Sequence, residues 1–207
     1  MDQETSPETA PQSGKIRQVA VYAASSRALA PDYLRAAERL GAVLAESGYS
    51  IVYGGGGTGL MGVMADAALA RGARVHGVVP RFLLQLECAH TGLTGMEVVE
   101  DMRERKHRML NGADALVTLP GGCGTCEELF EALTLKRLGQ WTGPIVLINT
   151  RGFYDRLLEF LEHSVRERFM SERHARMWTV VTQPDAVPEA LANPPAWSRD
   201  ALQFANV

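Results

Sequence analysis

Short, unbroken apolar runs alternate with longer amphipathic segments along most of the chain. The apolar runs have the length of buried strands, and we predict strands at 18–25, 49–55, 73–80, 115–121, 144–150 and 178–182, with a short extended piece at 96–100. The segments between them repeat apolar positions at helical spacing, which predicts helices at 31–48, 59–72, 101–111, 125–138, 152–170 and 184–193. Buried strands in alternation with helices are typical of a parallel sheet with helices on both faces. We therefore predict a single domain with a doubly wound, Rossmann-like α/β fold.

Length and composition favour a soluble globular protein. The chain has 207 residues, of which 46% are hydrophobic and 22% charged, and its formal net charge of −3 gives no electrostatic reason to bind nucleic acid or membranes. No apolar run approaches the roughly 20 residues of a membrane helix, and the first residues lack the layout of a signal peptide. We expect a cytoplasmic protein with a disordered tail at 1–15, a domain at 16–193 and a C-terminal tail at 194–207.

A first glycine-rich loop, "GGGGTGLMG", runs from Gly54 to Gly62 and contains G-x-G-x-x-G in two registers. It follows the second predicted strand, and the third strand ends in Pro80 and Arg81 rather than in a carboxylate, which disfavours a nicotinamide cofactor. Close packing of helix on strand would explain some of these glycines. Bare amides at the start of a helix also suit an anion, and we favour phosphate contact. The residues expected to make it are Gly55, Gly56, Gly57, Thr58 and Gly59.

A second loop, "LPGGCGTCEE", covers residues 119–128 and permits several interpretations. Cys123 and Cys126 have the spacing of a thiol redox motif, whereas the glycines around them resemble an anion cradle. The two following carboxylates raise the cost of a thiolate, and a zinc site would need more ligands. Thr125 and Glu128 also have capping-box spacing, and acidic residues are favourable in a first helical turn. For each glutamate, a structural and a functional role are therefore both open.

A basic segment, "EDMRERKHRML", covers residues 100–110 and is predicted to be helical. At helical spacing, Arg105 and Lys106 flank the apolar face that Met102 and Met109 form. Both could extend to solvent past the edge of the core. If they are partly buried, however, they need an anion, which Glu128 or a bound ligand would supply.

The segments "GGGGTGLMGVMADAAL", "VVEDMRERKHRM" and "LPGGCGTCEELFEALTLKRLG" resemble, in order and spacing, the LOG (Lonely Guy) family. These are cytokinin riboside 5′-monophosphate phosphoribohydrolases that often carry the name lysine decarboxylase. The resemblance covers about residues 18–192. It also makes Cys123 and Cys126 occupants of free positions in the P-G-G-x-G-T-x-x-E motif.

The resemblance implies hydrolysis of the N-glycosidic bond of an adenine-type nucleoside 5′-monophosphate, without cofactor or metal, by a homodimer with the site near the interface. Catalysis would rest on Arg105 and Glu128. Substrate or phosphate contacts would come from the first glycine loop and from Ser26, Met102, Lys106, Gly121, Gly122, Gly124, Thr125 and Glu127. An AMP nucleosidase, a nucleotide-binding protein without turnover and a thiol redox protein remain alternatives.

Three positions depart from the family pattern. Ala24 stands where a glycine often precedes the two serines, Arg103 replaces the usual histidine, and Leu135 replaces a frequent tryptophan. These changes affect the expected contacts with the base and with a partner more than those of the hydrolytic residues.

Overall fold

A computed structural model describes residues 16–84 and 89–204. Seven strands form one parallel sheet in the order β4-β3-β2-β1-β5-β6-β7. The strands are β1 (Gln18–Tyr22), β2 (Ser50–Tyr53), β3 (Val75–Pro80), β4 (Gly95–Val99), β5 (Ala115–Thr118), β6 (Ile145–Ile148) and β7 (Thr179–Val181). The helices are α1 (Pro31–Glu46), α2 (Gly59–Leu69), α3 (Met102–Asn111), α4 (Cys123–Arg137), α5 (Asp155–Arg166) and α6 (Val187–Ala192).

Alternate residues of the central strands pack into two separate cores, one on each face of the sheet. Val19 and Val21 of β1 join the core formed with α1, α2 and α6. Ala20 and Tyr22 join the core formed with α3 and α4. Because successive side chains of a strand point to opposite faces, a strand covered on both sides must be apolar throughout. The predicted doubly wound α/β fold is confirmed.

Two predicted elements need correction beyond shifts of a few residues at their ends. The extended piece near residue 96 is a full edge strand, β4, paired with β3 over five positions. The predicted helix at 152–170 is shorter, because left-handed residues lie beyond both of its ends. Gly152 has φ 69° before α5, and Arg168 has φ 63° after it. A left-handed residue interrupts the α-helical hydrogen-bond pattern.

The last described residues of the chain pack against the domain. The predicted tail at 1–15 lies outside the described residues. After α6, a 3-10 helix spans Arg199–Phe204, and Trp197 and Ala201 are buried. The Trp197 indole N–H donates to the carbonyl of Lys136 in α4 at 2.7 Å, so this segment packs on the C-terminal end of α4. In the parts of the chain that the structure describes, no helix has the length and apolar character to cross a membrane.

The direction of winding reverses between β1 and β5. Strands β2, β3 and β4 lie on one side of β1, and β5, β6 and β7 lie on the other. In open α/β sheets the connections diverge at such a point and leave a crevice at the carboxyl ends of the strands, where ligands bind. The loops after β1, β2 and β5 meet there.

Candidate active site

A cavity of about 280 Å³ opens at the carboxyl ends of β1 and β5. It brings together residues that lie as far apart in sequence as Val21 and Glu128. Its lining consists of residues 21–26, Gly54, Met61, Met102, Arg105, Met109, Gly122, Gly124, Thr125 and Glu128. Both residues predicted to be catalytic therefore lie in one cavity, together with the predicted contacts Ser26, Met102, Gly122, Gly124 and Thr125.

Arg105 is buried rather than extended to solvent, with 6% of its surface exposed. Its Nε donates to the Val78 carbonyl at 3.2 Å, and its Nη2 donates to the Gly54 carbonyl at 2.9 Å. These carbonyls belong to β3 and to the residue after β2, so the backbone of two neighbouring strands fixes the plane of the guanidinium. Nη1 lies 3.7 Å from the Met102 sulfur. A guanidinium has five N–H donors, so this anchoring leaves donors for a ligand in the cavity.

Glu128 lies in the second turn of α4 and is 8% exposed. The prediction that it closes a capping box with Thr125 is wrong, because α4 begins two residues earlier, with Gly122 as its N-cap. For the same reason, neither Glu127 nor Glu128 lies in the first helical turn. A cap therefore does not account for Glu128, and its buried carboxylate faces the cavity that also holds Arg105.

The amino terminus of α4 is directed at the cavity. The N-cap, Gly122, offers no side chain, and the first backbone N–H groups of a helix have no acceptor within the helix. Gly121 must be a glycine because a Cβ there would collide with Thr125, whereas a Cβ at Gly122 or Gly124 would meet no atom of the described chain within 4 Å. Packing therefore accounts for the first of these glycines but not for the two that line the cavity.

The first glycine loop is largely engaged by the chain itself. The Leu60 and Met61 amides at the start of α2 both donate to the Ala24 carbonyl, at 2.9 and 3.3 Å. Gly59 has φ 61°, and a Cβ there would collide with the Ser25 and Ser26 backbone. Of this loop Gly54 and Met61 line the cavity, whereas the predicted phosphate contacts Gly55, Gly56, Gly57, Thr58 and Gly59 do not.

Lys106 and Glu127 also lie outside the cavity lining, together with Gly121. The Lys106 ammonium bonds to the Glu127 carboxylate and forms a second ion pair with Glu131 at 2.7 Å. Burial alone would lower the pKa of Lys106, but the hydrogen bonds to the two carboxylates outweigh it, and the pKa is raised. Lys106 thus has the anion that a partly buried cation needs, but it is supplied by Glu127 and Glu131.

The two cysteines of the second loop are free thiols, Cys123 exposed and Cys126 half-buried. Burial raises the pKa of the Cys126 thiol, and Cys123 adds to the effect. A redox-active cysteine needs the opposite shift, because the thiolate is the reactive form. Among the described residues, no group of three or more histidine, cysteine or acidic side chains is arranged to hold a metal ion.

Tyr22 is a cavity residue that the sequence analysis missed. It ends β1 and is 2% exposed, and burial, followed by the charge of Glu128, raises its pKa. Its phenol therefore stays protonated at neutral pH beside the carboxylate. The rule that ligands bind at the carboxyl ends of strands could have identified it, but within its apolar run it looked like any other core residue.

The geometry offers no lysine for a pyridoxal phosphate cofactor. Lys106 is ion-paired to two carboxylates, and Lys136 is buried, with its ammonium donating to the Gly143 carbonyl at 2.6 Å. Neither lines the cavity that holds Arg105 and Glu128. Lys15, the third lysine of the sequence, lies outside the described residues. A Schiff-base enzyme needs its lysine in the cofactor site.

Comparison with solved structures confirms the fold. The X-ray structure of TM1055 superposes with a TM-score of 0.69 over 85% of this chain and 98% of that chain, at 22% identity. The molybdenum cofactor carrier protein of Chlamydomonas reinhardtii superposes with a TM-score of 0.66 over 86% and 99%, also at 22% identity. At this identity the similarity concerns the fold alone.

Sequence comparison identifies the family. Residues 61–191 match the family model described as "Possible lysine decarboxylase". The cytokinin riboside 5′-monophosphate phosphoribohydrolase of Rhodococcoides fascians is 42% identical over 75% of this chain and 79% of its own length. The enzyme of the same name, LOG, of Oryza sativa is 39% identical over 83% and 70%. The chain thus belongs to the family of cytokinin riboside 5′-monophosphate phosphoribohydrolases, as its motifs indicated.

Proposed function

We propose that the protein hydrolyses the N-glycosidic bond of adenine-type nucleoside 5′-monophosphates, with N6-substituted, cytokinin-like nucleotides as the preferred substrates. The products are the free base and ribose 5-phosphate. The observation that carries the proposal is the shared cavity, in which a buried arginine and a buried carboxylate meet the amino terminus of α4. The names of the related enzymes agree with this chemistry.

The carboxylate of Glu128 suits the reacting sugar. Breaking the bond between C1′ and the base nitrogen leaves positive charge on the ribose, which a nearby carboxylate stabilises. The same carboxylate orients a water molecule and accepts its proton as the water oxygen bonds to C1′. The electron pair of the broken bond leaves with the base, which takes up a proton. Burial keeps bulk water away from Glu128 and strengthens these interactions.

Arg105 suits the departing base or an oxygen of the substrate. Its Nε and Nη2 are held by backbone carbonyls, so the remaining N–H groups point in a direction that the strands determine. Electron density that moves onto the base is stabilised by a fixed guanidinium. Arginine serves here better than lysine, since its planar fork can bond to the strand carbonyls and the ligand together.

The 5′-phosphate is best placed at the amino terminus of α4. Its unpaired amides and the positive end of the helix dipole attract an anion. Gly122 and Gly124 leave the approach open, and Thr125 and Ser26 add hydroxyl groups to the same lining. The first glycine loop contributes mainly by shaping the cavity wall through Gly54.

The test is release of free base from AMP, from an N6-isopentenyl-type AMP and from the corresponding nucleoside without phosphate, separated by chromatography. We expect release from both nucleotides, faster from the N6-substituted one, and little from the nucleoside. Faster release from AMP would identify an AMP nucleosidase instead. If both nucleotides bind but no base is released, the protein is a nucleotide-binding protein without hydrolytic activity, and the proposal is overturned.

We further propose that the enzyme works in the cytoplasm as a homodimer and without a cofactor. Light scattering on the purified protein tests the dimer, and a monomer that retains full turnover would contradict it. Activity that persists after dialysis against a chelator is expected if no metal takes part. Loss of activity that added metal restores would contradict this expectation.

A further inference from the structure

The two helices that carry Arg105 and Glu128 are separated by a cleft. It has a volume of about 560 Å³ and is lined by residues of both helices, among them Leu110 of α3 and Leu135 of α4. Tyr22 lines this cleft and also the cavity that holds Arg105 and Glu128. Besides the apolar core that both helices join, the contacts that cross the cleft therefore contribute to the relative position of the two helices.

Lys106 makes such a contact. Next to Arg105 on α3, it extends to α4 and pairs with Glu127 and Glu131. The Lys106 side chain is 15% exposed and that of Glu131 35%, against 55% for Glu127, so solvent screens the pair with Glu131 less than it would at an open surface. The raised pKa of Lys106 keeps its ammonium charged at neutral pH.

The two carboxylates lie beside Glu128 on the surface of α4, both on the same side of it. Glu127 and Glu131 are four residues apart and lie on one face of the helix. At about 100° per residue, Glu128 is offset from Glu127 by about 100° and from Glu131 by about 60° in the same sense, so both neighbours lie on one side of it. A cation bound to both neighbours therefore fixes the rotation of α4 about its axis, and with it the direction of Glu128.

We infer that Lys106 is a positioning residue that, through Glu127 and Glu131, holds the carboxylate of Glu128 at a fixed place relative to Arg105. This inference rests on the proposed function and deepens it. It replaces the expectation that Lys106 contacts the substrate phosphate, because its ammonium is held at the two carboxylates and outside the cavity lining.

The two roles predict different kinetics. A displacement of a catalytic group by about 1 Å can cost on the order of 10²-fold in rate, whereas substrate binding depends on other groups. For Lys106→Met, which keeps side-chain length but removes the charge, we expect kcat to fall about 10- to 100-fold and KM to change less than about threefold. A phosphate-binding lysine would chiefly raise KM when it is removed.

The carboxylates give a second, independent test. If Lys106 acts through them, the double variant Glu127→Gln with Glu131→Gln should lower kcat by a similar factor. Adding Lys106→Met to that variant should then cause little further loss, because coupled residues are not additive. If Lys106 binds phosphate, the double variant should retain its activity, and adding Lys106→Met should lower it. That second pattern would overturn the inference.

Arg108 provides a matched control on the same helix. It also pairs with two carboxylates, those of Glu97 and Glu104, at 3.3 and 3.5 Å, but it is 53% exposed and does not line the cavity. Arg108→Met should keep kcat within about twofold, as expected for exposed pairs. An equal loss in both variants would mean that removing any charge from α3 lowers activity, which would contradict a specific role for Lys106.

Hydrogen exchange separates a failure of this inference from a failure of the proposed function. If the wild-type protein releases no base, the proposed function fails, but the contact between α3 and α4 can still be measured. Backbone amides of residues 127–131 should then exchange faster in Lys106→Met than in the wild-type protein and in Arg108→Met. Unchanged exchange in Lys106→Met would overturn the inference.

Discussion

Replacing Glu128 by glutamine tests the proposed chemistry most directly. The amide has the shape of the carboxylate but no negative charge and no useful basicity. Loss of an acid–base group typically lowers turnover about 10²- to 10⁴-fold, which corresponds to about 3–5.5 kcal/mol of transition-state stabilisation. Because Glu128 is only 8% exposed, its charge acts with little screening, so we expect a loss in this range.

The fold should tolerate the same substitution. Glu128 lies beyond the first turn of α4 and does not cap it, so glutamine removes no helix cap. We expect the free energy of unfolding to change by less than about 1 kcal/mol, or less than about 4 °C in melting temperature for a chain of this size. Base release and thermal melting are measured side by side, with Glu159→Gln on the exposed face of α5 as the control. Wild-type turnover in a folded Glu128→Gln protein would refute the assigned role.

The remaining predictions concern Arg105, the cysteines and Lys136. Arg105→Lys should lower kcat and Arg105→Ala should lower it further, with smaller changes in KM, because the ammonium keeps the charge but lacks the planar fork that two carbonyls hold. Full rescue of kcat by Lys would show that charge alone suffices. Cys123→Ser with Cys126→Ser should keep most of the turnover, and complete loss in a folded protein would reinstate the redox interpretation. Burial lowers the pKa of Lys136 from 10.5 to about 8, so between these values the unfolded chain binds more protons than the folded one, and stability rises with pH. The unfolding free energy of the wild-type protein should thus rise by up to about 3 kcal/mol from pH 8 to 10.5, relative to that of Lys136→Met over the same range. Denaturant titrations at the two pH values measure this difference. If they show no such rise, the lowered pKa of Lys136 is contradicted.

The sequence predicted most of the fold because its elements are separated by clear signals. Each central strand is an apolar run that must be buried on both faces, and glycines such as Gly48 and Gly72 follow the helices they were expected to end. The edge strand β4 was underestimated because it is covered on one face only. Met96 and Val98 alternate with less exposed residues, so β4 lacks the unbroken apolar run of the central strands.

The start of α4 was misplaced because its capping glycine has no side chain to signal it. Thr125 and Glu128 have the spacing of a capping box, which is a local pattern, whereas the actual first turn starts at Cys123. Motif resemblance nevertheless identified Arg105 and Glu128, which the structure brings into one cavity. The sequence motifs thus identified Arg105 and Glu128, but they did not predict where α4, the helix that orients Glu128, begins.

The first glycine loop shows why its function could not be assigned from composition. Glycines without side chains look equally suited to a bound phosphate and to a tightly packed chain. Here a Cβ at Gly54 would collide with the Arg105 guanidinium, and the Gly54 carbonyl accepts one of its hydrogen bonds. The glycine is therefore required because a buried arginine from α3 must reach the end of β2. The first loop thus gives Arg105 its place in the cavity, whereas the glycines that leave a helix start open belong to the second loop, at the start of the helix that carries Glu128.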